Sequence, residues 1–599
     1  MSFTIEFQPV GQRLVAEEAL TVMAAARQIG LQLRADCGGE GTCGKCRVRF
    51  VHPAPDLPVL PADKRHLTTD QLASGYRLAC SALVNSSTQI FIPPESLPAG
   101  QVLQTGSNAR QLAVDPLLRQ STLQLTPASL GDLRSDFERL QAYTGDSQLT
   151  AGMNVLRELP GLLRRNDWQV NLVLRGSRIQ QITAQPLAPL AGMAVDVGST
   201  KLACYLIDLE SGQSLAVKGL PNPQIIYGED IMARLTYALK GRQEAQEMHS
   251  LLMQSLQQAL ADLCAQSGIT ASQVAEVCLV GNTAMHHFCL DLPIDGLAVA
   301  PFVPAVSSAP PTPAPQIGLS GMPGMQVYTP PVIAGFVGSD HLAFLLACDF
   351  GEDQRVRLGI DIGTNTEIAL QKGARILSVS TASGPAFEGA HIRCGMRAAP
   401  GAIEHIHLDS GGHFLCDVIG AGKPTGICGS GILDAVGELR AAGLLNQRGR
   451  LDKSHALVEL DAQGRPLVTL AAGDSEGRPV TLSQQDIDQV LLAKGAIRAG
   501  IDVLMDALKV CPEDIEEVLI AGAFGSYMLP AQAIRIGMLP QLPQERIHAV
   551  GNAAGLGAQM MLVSQTARRQ AEELAACIEY LELSLYPDFE MFYANGIRA

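Results

Sequence analysis

Basic charge is scarce in this chain. Lys and Arg number 44 against 59 Asp and Glu, for a formal net charge of −15. No basic stripe offsets phosphate repulsion, which excludes a nucleic-acid partner. Long apolar runs are missing too. The nearest candidate, residues 331–350, is broken by Gly335, Gly338, Asp340 and His341, so no spanning helix and no membrane partner are expected. The opening M-S-F-T-I-E-F lacks a basic region followed by an apolar stretch, so no export signal is expected. Ten cysteines from Cys204 to Cys577 are scattered without framework spacing, the pattern of reduced thiols in a cytoplasmic protein. Two nucleotide motifs fail. G-A-G-K-P at 420–424 lacks the upstream Gly and the Ser/Thr of a P-loop, and no G-x-G-x-x-G follows a strand.

Hydrophobic residues make up 47% and charged residues 17% of 599 positions. That composition belongs to a well-buried globular chain, too long for a single core, with about three or four domains. Four cysteines are organised: Cys37, Cys43 and Cys46 are spaced C-x5-C-x2-C, and Cys80 follows downstream. Three thiolates on one loop, freed to turn by Gly38, Gly39, Gly41 and Gly44, with a fourth from a later segment, suit a 2Fe–2S cluster. The alternative is a four-thiolate zinc site, which more often uses two paired C-x2-C knuckles. The first gap is one residue longer than in plant-type ferredoxins, so the spacing resembles the adrenodoxin-type branch. Lys45, Arg47 and Arg49 beside this loop read either as a docking patch for an acidic donor or as a solvated strand face.

Residues 2–8 and 46–52 alternate as strands, and 19–29 has helical period. The first ninety-odd residues therefore suit a small mixed sheet with one helix, ended by Pro93 and Pro94. A Ser/Gly/Gln/Asn-rich stretch reads as a linker. A second small unit follows: a strand at 122–126, helices at 130–143 and 153–163, and strands at 168–174 and 178–184. No chemistry is legible there. The expected units are 1–95, a linker over 96–119, a small α/β domain over 120–189 and a large domain over 190–599, itself divided near 190–355 and 356–599.

The large unit contains a repeat. M-A-V-D-V-G-S-T-K-L-A-C-Y-L-I-D at 193–208 is echoed by L-G-I-D-I-G-T-N-T-E-I-A-L-Q at 358–371. Each is an apolar strand, an Asp-x-Gly-[Ser/Thr] turn and a second strand, so two related subdomains should face one another. At the tips, Gly198 and Gly363 leave amides unpaired which, with the hydroxyls of Ser199, Thr200 and Thr364, form a nest for phosphate. Asp196 and Asp361 at the strand ends suit Mg²⁺ held through its waters, and Lys201 suits the charge on a transferring phosphoryl group. T-G-I-C-G-S-G at 425–431, with Gly429, Ser430 and Gly431, opens a helix toward an anion or ribose. V-L-I-A-G-A-F-G at 518–525, with Gly522 and Gly525, offers a small-residue loop for an adenine face. A-V-G-N-A-A-G-L-G-A at 549–558 reads equally as helix packing or nucleotide contact.

The order D-V-G-S-T, D-I-G-T-N, G-S-G, A-G-A-F-G resembles the superfamily of acetate kinase, sugar kinases, heat-shock chaperone ATPases and actin. More narrowly, N-P-Q-I-I-Y-G-E-D-I at 222–231, G-N-T-A-M-H-H-F at 281–288, A-G-F-V-G-S-D at 334–340 and S-G-P-A-F-E-G-A at 383–390 resemble the reductive activators of corrinoid proteins. That resemblance spans nearly the whole chain. It implies a multidomain α/β and α+β protein: a β-grasp 2Fe–2S ferredoxin domain, a small middle domain, and an actin-like (ASKHA) ATPase built from duplicated RNase H-like subdomains. It further implies ATP with Mg²⁺, a corrinoid protein of a methyltransferase system as partner, a low-potential electron donor upstream, and a homodimer. Asn365 joins the phosphate-contacting set, and Glu367 and Glu388 become candidates for orienting water. Ser383 and Glu388 are candidates to face the corrinoid partner, against a plain turn. His286 and His287, taken as strand neighbours on opposite faces, read as structural rather than as metal ligands. A small-molecule phosphotransferase with a redox-sensing ferredoxin domain is the alternative.

Overall fold

The structure, a computed structural model, describes residues 3–8, 12–29, 31, 33–52, 58–93, 96, 112–228, 230–389, 391–420, 422–472, 479–525 and 527–598. Among these no helix is long and apolar enough to cross a membrane.

The N-terminal unit is a five-stranded mixed sheet in the order Gln12–Ala16, Phe3–Gln8, Thr88–Phe91, Arg47–His52, Tyr76–Leu78. Phe3–Gln8 pairs parallel with Thr88–Phe91 and antiparallel with Gln12–Ala16. The helix Val22–Gln28 is capped by the Thr21 hydroxyl, which accepts from Ala24 N at 3.1 Å. It buries Val22, Met23, Ala25 and Ala26 against the sheet. This is the β-grasp ferredoxin fold. Two short helices, Pro61–His66 and Thr69–Ala73, add to the single expected one.

Most of the expected linker, 97–111, lies outside the described residues. Its end is not free chain. Asp115 N donates to Val563 O, and Gln565 N to Asp115 O, and the strand Leu118–Gln124 has already begun. The small unit's sheet runs Leu118–Gln124, Gln169–Arg175, Arg178–Thr183, Thr150–Ala151. Its first helix begins at Asp136 rather than at 130. A capping box between Ser135 and Glu138 starts it there, and Asp132 is held before it by ion pairs to Arg134 and to the buried Arg139.

Two six-stranded sheets follow, and five strands of each repeat one topology; the sixth is Thr312–Pro313, antiparallel to Gln326–Tyr328, in one and Ile578–Tyr580, parallel to Arg375–Thr381, in the other. In the first, Ser214–Pro221, Lys201–Asp208 and Ala191–Val197 are antiparallel neighbours, continued by Val274–Gly281 and Gln326–Tyr328 in parallel. In the second, Arg375–Thr381, Thr366–Lys372 and Val356–Ile362 are continued by Glu517–Ala521 and Ile547–Gly551. The central strands are buried almost throughout because helices cover both faces, hence their unbroken apolar runs. The two halves that meet near 355 are interlocked. The helix Ala553–Val563 comes from the second half of the chain, yet shares one core with Ser339–Ala347 and the first sheet.

Candidate nucleotide cleft and cluster loop

The two hairpin tips face one another across a cavity of about 270 Å³. Gly198, Ser199, Thr200 and Lys201 line it from the first tip, and Gly363, Thr364 and Asn365 from the second. At Gly198 a Cβ would stand 2.6 Å from Lys201 O, so the turn closes only on glycine. Gly429 and Ser430 arrive at the start of the helix Gly429–Ala441, and Gly522 at the end of a buried strand. Gly522 has φ +91° and no room for a Cβ, which would lie 2.5 Å from Ile362 O. Gly431 and Gly525 are not brought to the cavity. They allow close packing, against Ile403 O and Ile520 Cγ2 respectively. In the segment 549–558, Gly557 lets its helix close on Ala343, the packing role, while Asn552, Ala553 and Ala554 line the cavity.

Four carboxylates meet here, Glu367 buried and Asp196, Asp340 and Asp361 half-buried. Asp196 and Asp361 hold equivalent strand ends, and Glu367 pairs across from Asp361. The fourth, Asp340, lies in the first turn of Ser339–Ala347 and was not singled out from sequence. It ends the string A-G-F-V-G-S-D, and that glycine-rich entry to a helix was its only signal. Burial pushes Asp196 up to about 6. Burial, then the charge of Asp196, pushes Asp340 up to about 7. Burial, then Asp340 and Asp196, takes Asp361 to about 8, and Glu367 is raised well above its ordinary value in the same way. Asp196 Oδ2 accepts from Asn552 Nδ2 at 2.9 Å, and Glu367 Oε1 from Ser380 Oγ at 3.2 Å. Glu388 Oε1 accepts from Thr364 Oγ1 at 2.7 Å, inside the cleft. Glu388 is therefore not on an outer surface facing a partner. Nor is Ser383, which is buried and hydrogen-bonded to Thr366 Oγ1 at 2.8 Å. Lys201 and Arg397 are cationic liners, Lys201 with its pKa lowered by burial. Phe387 and Phe524 stack at 4.7 Å on the cavity wall.

Among the described residues no three His, Cys, Asp or Glu side chains stand as a ready-made cage for a single ion. A Mg²⁺ that keeps most of its ligands as water and phosphate oxygen needs none. His286 and His287 belong to the helix Thr283–Leu290, not to a strand; Asn282 caps its start. His287 bonds Thr283 O at 2.8 Å through Nδ1 and accepts from Ala305 N at 2.9 Å through Nε2, a structural role.

In the ferredoxin unit, Cys37, Cys43 and Cys46 lie on one loop and Cys80 just beyond Tyr76–Leu78. Ala79 N donates to Cys46 O at 2.7 Å, tying the two stretches together. The thiols associate two and two. Cys43 hydrogen-bonds Cys37 and lowers its pKa to about 4, while Cys46 hydrogen-bonds Cys80 and lowers it likewise. A two-iron cluster takes two thiolates per iron, so this pairing fits it better than a single zinc ion with four equivalent ligands. Gly38, Gly39, Gly41 and Gly44 all have positive φ. Lys45, Arg47 and Arg49 are half-buried, and the two arginines have partners within the unit. Arg47 Nε donates to Gly44 O at 2.9 Å, and Arg49 lies 5.0 Å over the Phe91 ring.

Together these features define an iron–sulfur protein whose ferredoxin domain is joined to a duplicated, ASKHA-type nucleotide-binding fold. Residues 5–85 match the 2Fe–2S iron–sulfur cluster binding domain. Residues 107–186, 191–353 and 355–598 match, in turn, the RACo linker region, the RACo middle region and the C-terminal domain of RACo, the ASKHA domain. Corrinoid activation enzyme RamQ of Eubacterium limosum is 31% identical over 599 residues, covering 97% of this chain and 96% of that one. The Co(II) methylated amine-specific corrinoid protein reductase of Methanosarcina barkeri is 25% identical, over 67% of this chain and 76% of its own. A solved structure titled reductive activator for corrinoid,iron-sulfur protein is 29% identical with a TM-score of 0.74, covering 100% of this chain and 98% of that one. The chain belongs to the RACo family of corrinoid activators.

Proposed function

We propose that this protein is an ATP-dependent reductive activase: it delivers one electron to the Co(II) corrinoid of a methyltransferase-system protein and restores Co(I). The observation that carries the reading is the coexistence, on one chain, of paired cluster thiols and a carboxylate-lined cleft between duplicated hairpin tips. Cys37 and Cys43 would hold one iron, Cys46 and Cys80 the other. When bound, the 2Fe–2S cluster supplies a one-electron carrier, refilled by a low-potential donor outside this chain.

The cleft's own residues account for the nucleotide. Amides of the two tips, with Ser199, Thr200, Thr364 and Asn365, receive phosphate oxygens, and Lys201 offsets their charge. Asp196, Asp340 and Asp361 would hold Mg²⁺, which would offset phosphate charge there, and Glu367 or Glu388 would orient water. Gly429 and Ser430 present the helix N-terminus, and the small loop at Gly522 with the Phe524 ring receives the base. Coupling to an uphill electron transfer requires different nucleotide affinities in two states of the protein. Two sheets closing on one ligand form such an element. Nothing in the site favours the phosphotransferase reading.

The test follows loss of Co(II) absorbance in a candidate corrinoid partner mixed with reduced, cluster-loaded protein. The rate should depend on MgATP and fall by about 10²–10³ in Asp361→Asn, the size of effect seen when one electrostatic contact to a transition state is removed. Equal rates with and without nucleotide would refute the activase.

A further inference from the structure

Among the described residues, the ferredoxin unit meets the nucleotide-binding unit at Ile226 and Tyr227. Arg27, in the last turn of the helix Val22–Gln28, lies 4.6 Å over the Tyr227 ring and donates to Ile226 O. Tyr227 stacks on Tyr237 at 4.1 Å, and Glu247 accepts from both phenols. The cluster loop itself meets the same backbone. Gly38, at φ +66°, is so close that a Cβ there would stand 2.7 Å from Tyr227 O.

The segment under this contact is pinned to the cleft at both ends. Asn222 N donates to Thr200 O at 3.0 Å, and its side chain donates to Gly198 O at 2.9 Å. At the other end Ile231 lines the cavity, and Arg234 Nε holds Gly228 O at 2.8 Å.

We propose that residues 222–231 are the docking seat of the ferredoxin domain and its mechanical link to the nucleotide, so that nucleotide binding tightens the dock. This rests on the reading that the cleft takes ATP. The direction follows from the peptide units at the tip. Gly198 C=O, which accepts from Asn222, belongs to the same peptide group as Ser199 N–H; Thr200 C=O shares one with Lys201 N–H. A phosphate on those amides polarises the groups and strengthens their carbonyls as acceptors. The nest and Asn222 therefore reinforce one another, and the seat becomes stiffer when the nest is filled.

The experiment uses the full, cluster-loaded chain, with hydrogen exchange over 222–231 and visible circular dichroism of the cluster, each with and without MgATP or a non-hydrolysable analogue. Wild type should show slower exchange in 222–231 and an altered cluster spectrum on adding nucleotide. Arg27→Glu should speed exchange in that segment without any nucleotide and lose the spectral response, while nucleotide still binds by calorimetry but more weakly, because a dock that nucleotide tightens must in turn tighten nucleotide. Asn222→Ala, which removes the Gly198 contact but keeps the backbone bond to Thr200 O, should weaken the spectral response to nucleotide without abolishing it, a second variant should Arg27→Glu not load its cluster. If wild type binds nucleotide and neither exchange nor spectrum responds, or if the response survives Arg27→Glu, the link is overturned. Absence of nucleotide binding in wild type would instead sink the ATP reading, and the exchange of Arg27→Glu alone would still decide whether the seat exists.

Discussion

Asp361 concentrates the electrostatic problem of the cleft. It shares a buried space with Asp196, Asp340 and Glu367, and each raises the cost of ionising the next. Groups whose native pKa is raised bind more protons folded than unfolded, so their contribution to stability is full below about pH 4. It is lost as pH rises through about 6 to 8. In the absence of Mg²⁺, the melting temperature of wild type should fall between pH 5 and 8, and Asp361→Asn should flatten that fall. Mg²⁺ affinity should move oppositely, strengthening over the same interval as the carboxylates ionise; a magnesium titration of nucleotide binding at pH 6, 7 and 8 reads it. At the cluster, Cys80→Ala removes one of two thiols from its pair, and should abolish stable visible absorbance and iron retention after anaerobic reconstitution.

At the scale of elements, glycine-bearing turns decide where strands and helices may touch the ligand space. The strand Glu517–Ala521 ends in a left-handed Gly522 that turns the chain past Ile362 O. Gly522→Ala adds both strain and a clash, and should cost about 1–3 kcal/mol in denaturant unfolding. The aromatic pair Phe387–Phe524 lies in the wall beside it. Removing one ring in Phe524→Ala forfeits about 0.5–1.5 kcal/mol of stacking, which should appear as lost stability in denaturant unfolding. The two hairpins were legible as repeats because both tips carry Asp-x-Gly-[Ser/Thr]. Their partner helix Ser339–Ala347 was not, because an acid in the first turn of a buried helix is also ordinary helix-end chemistry.

Across the whole molecule, the small unit and both halves of the nucleotide-binding unit meet at one buried carboxylate. Glu276, on a central strand of the first sheet, is 3.0 Å from Arg568 and 3.1 Å from Arg175. Arg175 comes from the small unit and Arg568 from the helix Gln565–Cys577, which also donates through Arg568 Nε to Met561 O at 2.6 Å. Glu276→Ala leaves two guanidinium groups facing each other with little water, and should destabilise the assembly of units by about 3–5 kcal/mol, read as a lowered thermal midpoint. The bracing explains why the small unit, which shows no chemistry in its sequence, is integral to the fold: it fixes an edge of the nucleotide-binding unit through Glu276 and through Asp115 against residues 563–565.

The sequence alone determined what depends on local spacing: the four cluster cysteines, both hairpins with Asp196 and Asp361, and the glycine-led helix at Gly429. Each is written in residues a few positions apart, where backbone geometry permits little else. What the tertiary structure decided joins positions hundreds of residues apart. It placed Asp340 among the acids, Asn552 on Asp196, and the helix Ala553–Val563 on the opposite half's sheet. It moved Gly431, Gly525 and Ser383 from site to scaffold, and it set the cluster loop on Tyr227. Burial, shared charge and close backbone approach arise only when separate segments pack together, and no period or motif in one segment encodes its distant neighbour.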